Sequence, residues 1–309
     1  GGTTPQERNI ISGNDFYGVR IEGLEAIENQ VIGNFIGTDV TGTADLGNFG
    51  GIRISIGAAN NTIGGTMPGA RNVISGNDAG SGVFLQNGNT GNGNLVIGNF
   101  IGTDITGTQA IGNSNAGVNI RLGASNNTIG GTTVEERNII SGNGRGVSID
   151  GLFGDNNAVN NQVLGNFIGT DVTGTVAIGN SGAGVLINLE SRNNIIGGTT
   201  PGARNVISGN GNEGVGIIST AADNRVVGNF IGTDTTGTIA LGNASSGVRL
   251  SATNNSIKNN VISGNNTDGI SLFSSGNQIT RNFIGTQADG KSALGNSGDG
   301  IETLGLIDS

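Results

Sequence analysis

Two carboxylates, one repeat apart, are the first candidates for chemistry in this 309-residue chain. Asp268 stands in NNTDGISL and Asp299 in NSGDGIET, each directly before a Gly and an aliphatic residue. If successive repeats stack as strands, their Cα atoms lie about 4.8 Å apart. That is near the separation at which retaining glycosidases hold an acid and a nucleophile. Glu213 takes the same position in an earlier repeat, and Glu302 follows Asp299 on the same run. Asp268 and Asp299 are therefore the catalytic candidates, with polar decoration of the surface as the plainer reading.

A second set of acids, Asp39, Asp104, Asp171 and Asp234, recurs in G-T-D-x-T-G-T. These are the metal candidates, and the cation they would suit is calcium. Placed on alternate repeats they are about 9.6 Å apart, where two charges in water repel by only about 0.4 kcal/mol. No cation is needed to hold them, and an Asp that caps the following Thr-Gly turn explains the residue type equally well. Arg8, Arg71, Arg137 and Arg204 recur five or six residues before the corresponding acid position. That distance, about 17 Å if extended, favours carbonyls or loop acids of their own layer as partners. Arg20 and Arg53 read as stacked residues of a solvated face.

Composition leans against an enzyme. The chain has no His, Cys or Trp and a single Tyr, Tyr17. Without His no side chain titrates near neutrality unperturbed, and sugar-binding grooves usually offer more aromatic platforms. A net charge of −9 without a basic cluster excludes nucleic acid as an expected partner. No run of 18 apolar residues is present, so no membrane insertion is expected.

The elements that position these residues follow from repetition. NFIGTDVTGTADLGN, at 34–48, returns in related form at Asn99, Asn166, Asn229 and Asn282. It alternates with ISGN phrases that follow Asn9, Asn72, Asn138, Asn205 and Asn260. The shortest unit, NNSIKNNVISGNNTDGISLFSS, holds three runs too short for helices and bounded by Asn and Gly, so they read as strands. Odd units add an insertion such as GGTMPGAR before strand two, and even units add GTDVTGTADL after it.

Ten such units align in columns: Asn9 to Asn282 entering strand two, Ile11 to Ile284 two residues on, and Asn14 to Asn296 before strand three. A further Asn column, from Asn29 through Asn60 and Asn94 to Asn277, opens strand one. Stacked amides can donate to one neighbour and accept from the other. The residue between the strand-two Asn and Ile must point outward, yet it is always apolar, with Phe35, Phe100, Phe167, Phe230 and Phe283 in the even units. The insertions are expected to fold over this stripe, with Leu46, Ile111, Ile178, Leu241 and Leu294 against the Phe rings.

Three strands per turn over ten turns resembles the right-handed parallel β-helix, the pectate-lyase-like superfold. The resemblance implies an all-β, single-stranded β-solenoid over residues 1–309, one continuous domain and expectedly a segment of a longer repeat protein. It also implies a secreted or cell-surface setting of bacterial type. The acid cluster and basic residue of the pectate lyases have no residue-by-residue match here, so no site is carried over. The first functional reading is a structural or adhesive rod about 48 Å long, stacking on itself end to end. The second is a carbohydrate-active enzyme or a module for cell-surface glycans, using the strand-three face near Asp268 and Asp299.

Overall fold

The computed structural model describes residues 1–86, 92–152, 154 and 157–305. The chain winds through ten coils whose strands form three parallel sheets, two of ten strands and one of nine. Strand two runs from Ile10–Ile11 in the first coil to Phe283–Ile284 in the tenth, and strand three from Tyr17–Glu22 to Ile301–Thr303. Strand one begins with Gln30–Val31 in the second coil and ends with Gln278–Thr280. Each strand pairs only with its equivalents one coil away, in register: Ile36 lies beside Ile74, and Ile74 beside Ile101.

The register dictates the interior. The strand-two Ile column and the two aliphatic columns of strand three are fully buried through the middle coils, forming one apolar core along the axis. Burial of each such side chain contributes about 1.5–3 kcal/mol. The polar lining is equally regular. From Asn9 to Asn282, each strand-two amide donates to the Oδ1 of the next at 2.8–3.2 Å. The column before strand three does the same at 2.6–3.1 Å. Many of these amides also donate to a carbonyl of the preceding coil, as Asn72 does to Val31.

The strand-one ladder is shifted by one residue from the expected place. It is Asn61, not Asn60, that accepts from Asn29 and donates to Asn94. Asn60 takes the corner itself, at φ 54°, a left-handed conformation that Asn tolerates.

The outward stripe is covered as expected in the coils between its ends, where Ile10 and Phe283 stay exposed, but by different atoms. Phe35, Phe100, Phe167 and Phe230, with the Val and Ile between them, form a second buried cluster. Leu46 does not face it and is 54% exposed. The Thr-Gly turn of each of the first four even insertions lies on the ring instead, so closely that a Cβ on Gly42 would stand 2.9 Å from Phe35. From the other side the guanidinium of Arg8 sits 4.0 Å from the Phe35 centroid, and Arg71, Arg137 and Arg204 cover Phe100, Phe167 and Phe230 alike. The same arginines donate from Nε to a carbonyl, at Gly33, Gly98, Gly165 and Gly228. These carbonyls belong to the next coil, not to the arginine's own layer. The turns also join one another, the amide of Ile105 donating to Gly42 and that of Val172 to Gly107.

Candidate functional site

Repetition stops on the outward face of strand three. Its middle column reads Arg20, Arg53, Phe84, Asn119, Ser148, Leu186, Gly216, Arg249, Ser271, Glu302 in coil order. The inward columns stack like over like; here ten coils carry charge, amide, hydroxyl and aromatic side chains in no repeating order, and the outward strand-one column from Gln30 to Gln278 is likewise mixed.

At the first three coils these side chains converge. The Tyr17 ring lies across Gly50, where a Cβ would approach it to 2.6 Å, and so reaches Phe84 two coils away. The two rings are parallel within 6° at 6.4 Å between centroids. Phe49 meets Tyr17 edge-on at 5.8 Å. The Arg53 guanidinium lies between, 5.6 Å from the Tyr17 centroid and 5.9 Å from that of Phe84, and donates to Gln86 at 3.3 Å. Glu22 anchors the edge: Arg20 pairs with it at 2.5 Å and Ser55 donates to it at 2.6 Å. Arg20 and Arg53 are thus stacked and outward as expected, but they belong to a built cluster. Burial raises the Tyr17 hydroxyl pKa, and the nearby Arg53 and Arg20 charges work against that shift. The platform arises because three aromatics distant in sequence share one face and Gly50 leaves room for a ring.

The last two coils carry the acids. Asp268 Oδ1 accepts from the backbone amide of Asp299 at 2.9 Å, and Asp268 Oδ2 accepts from Ser271 at 2.9 Å. Glu302 closes the group. Desolvation pushes its carboxyl pKa up, and the Asp268 carboxylate, which also hydrogen-bonds it, and Asp299 push it further. Asp268, Asp299 and Glu302 therefore come together. Glu213 does not: its carboxylate folds back over Gly216, where a Cβ would stand 2.5 Å from Oε1.

The loop acids are engaged by their own turns. Asp39 Oδ1 accepts from the amides of Thr43 and Ala44 at 3.1 Å, and both carboxylate oxygens accept from the Thr41 hydroxyl. Its pKa is lowered to about 2, first by the Thr41 bond and against a smaller opposing effect of desolvation. Asp104, Asp171 and Asp234 repeat the pattern. None of the ion pairs among the described residues joins these acids to Arg8, Arg71, Arg137 or Arg204.

No protein-family description matches the sequence, and no curated protein does. Solved structures of similar winding do exist. A variant of the periplasmic alginate epimerase AlgG is 13% identical with a TM-score of 0.46, covering 93% of this chain and 72% of that one. The A-module of the Azotobacter vinelandii mannuronan C-5 epimerase AlgE4 is 15% identical at 0.41, covering 97% and 86%. An alginate lyase from Paenibacillus sp. str. FPU-7 is 13% identical at 0.43, covering 92% and 99%. At these values the likeness is one of fold.

The expectation of a structural or adhesive rod is corrected here. The structures of similar winding named above are alginate epimerases and an alginate lyase, not rods or adhesins. The physical reason it went astray is also visible. A count of aromatics in the sequence registers scarcity, whereas the fold gathers Tyr17, Phe49 and Phe84 beside Arg53.

Proposed function

We propose that this chain handles glycans, holding an extended polysaccharide along the outward face of strand three. The observation that carries this reading is the convergence of Tyr17, Phe49 and Phe84 around Arg53 on the outward face of strand three. Aromatic faces stack on the apolar faces of sugar rings while their polar edges and a neighbouring guanidinium take hydroxyls or carboxylates. Coil spacing, about 4.8 Å, is comparable to the length of one sugar unit, so a chain along the axis meets a new coil with each residue. A secreted or periplasmic setting accords with such a ligand.

A second reading adds catalysis at the far end of the same face. Glu302, its carboxyl pKa raised beside Asp268, supports an acid and base pair. Glu302→Gln would abolish any glycan cleavage while leaving affinity at the aromatic end intact.

Isothermal titration with hexasaccharides of alginate, pectate and β-1,4-glucan tests the main reading. Binding to at least one is expected, and Tyr17→Ala or Phe84→Ala should weaken it about 3- to 10-fold, the worth of an aromatic contact. Failure of all three to bind, or binding indifferent to both substitutions, would contradict it.

A further inference from the structure

The charged groups at the aromatic platform are already paired with one another. Glu22 holds Arg20 through Oε2, and through Oε1 it takes the Ser55 hydroxyl at 2.6 Å and Arg53 Nε at 3.7 Å. The far end of the Arg53 guanidinium donates to Gln86 at 3.3 Å. Arg53 is thereby kept between the Tyr17 and Phe84 rings, 5.6 and 5.9 Å from their centroids. Strand register brings these groups together, setting Arg20 beside Arg53, Glu22 beside Ser55, and Arg53 beside Phe84. The hydrogen bond from Arg20 holds the Glu22 carboxyl below its ordinary pKa, so Glu22 is charged at neutral pH. Two further acids, Asp15 and Asp78, are exposed and share a cleft with Phe49. Around the rings, two guanidiniums are thus outnumbered by three carboxylates.

This arrangement treats two kinds of sugar differently. A uronate brings a carboxylate, which only accepts hydrogen bonds. To reach Arg20 or Arg53 it has to displace Glu22, whose side chain is 20% exposed, and then lie beside that like charge. A neutral ring brings hydroxyls, each of which both donates and accepts. It can donate to Glu22 and accept from Arg20, Arg53 or the Gln86 amide with the existing pairs left in place. Its apolar face then rests on Tyr17 or Phe84.

We propose that the platform selects neutral, hydroxyl-rich glycans over uronans, and that Glu22 sets this selectivity. Glu22 is an acceptor for a sugar hydroxyl and a repulsive element against a carboxylate. This inference rests on the glycan-binding reading above and gives that reading its substrate class.

Isothermal titration of the parent chain and Glu22→Gln with the β-1,4-glucan and alginate hexasaccharides, at about 150 mM salt, tests it. The parent should bind the glucan about tenfold or more tightly than alginate. Glu22→Gln keeps the size and an acceptor but removes the charge, so the ratio of glucan to alginate affinity should fall about tenfold, chiefly through a gain for alginate. If Glu22 only relieves repulsion between Arg20 and Arg53, the variant melts at a lower temperature and the ratio stays where it was. An unchanged ratio therefore overturns the assignment, and so does a parent that binds alginate as tightly as the glucan. Glu22→Ala carries the same expectation and decides the matter if Glu22→Gln fails to fold. In either overturning case, weaker binding by Tyr17→Ala shows that the platform stands and only its selectivity falls. If the parent chain binds neither hexasaccharide, both inferences fall together.

Discussion

An Asn in the middle of a ladder has more neighbours to disappoint than a surface residue of the same size. Asn138 donates to Asn166, accepts from Asn99 and donates to the Val96 carbonyl, and is fully buried. Asn138→Leu removes all three bonds and leaves polar groups of two coils unpaired. It should cost on the order of 1–3 kcal/mol, read as a lower denaturant midpoint in urea. By contrast Asn126, at the left-handed corner just before that coil's strand one, should tolerate Gly with little loss. At this scale the sequence was informative wherever stacking forces like over like, as in the Asn and Ile columns. It was misleading where one position differs by conformation alone: nothing but φ separates Asn60 from Asn61.

The even insertions are the elements with a titratable clasp. Because the Asp39 carboxyl is held at about 2 against an ordinary 3.8, the clasp contributes stability that is fully present above the ordinary value. That contribution is lost as pH falls through about 2. Between pH 4 and 1 the Thr43 and Ala44 amides should lose hydrogen-exchange protection together, followed by exposure of Phe35 beneath the turn. Protection that survives to pH 1 would show that the carboxylate does not hold the turn. The same capping bonds predict that excess chelator leaves the protection of these amides unchanged, whereas a calcium-held loop would release them. The sequence signalled both insertions and the stripe beneath them. It could not indicate which atoms cover the rings, because an exposed Leu and a buried Gly differ here through the path of the turn, and the arginines act across coils.

Taken whole, the molecule is a wound stack of three parallel sheets, and the outward side of strand three carries the aromatic cluster on which the proposed recognition depends. The net charge of −9 opposes a polyanion at long range, while the arginines of the strand-three face act only nearby. Raising salt from about 10 to 150 mM, which shortens the Debye length from about 30 to 8 Å, should therefore strengthen binding of a uronan and leave a neutral β-glucan unaffected. The fold was legible because ten aligned coils admit few alternatives. The aromatic platform was not, since Tyr17, Phe49 and Phe84 lie in three different coils and become neighbours only after the register is known. The acids at Asp268 and Asp299 were legible for the opposite reason, being equivalent positions of adjacent coils.

The most direct test is a crystal structure of the chain soaked with whichever hexasaccharide it binds. Sugar density is expected along the outward face of strand three, with one ring against Tyr17 and Phe84. Density on the strand-one sheet, near Gln162 and Arg225, with the strand-three face empty would contradict it.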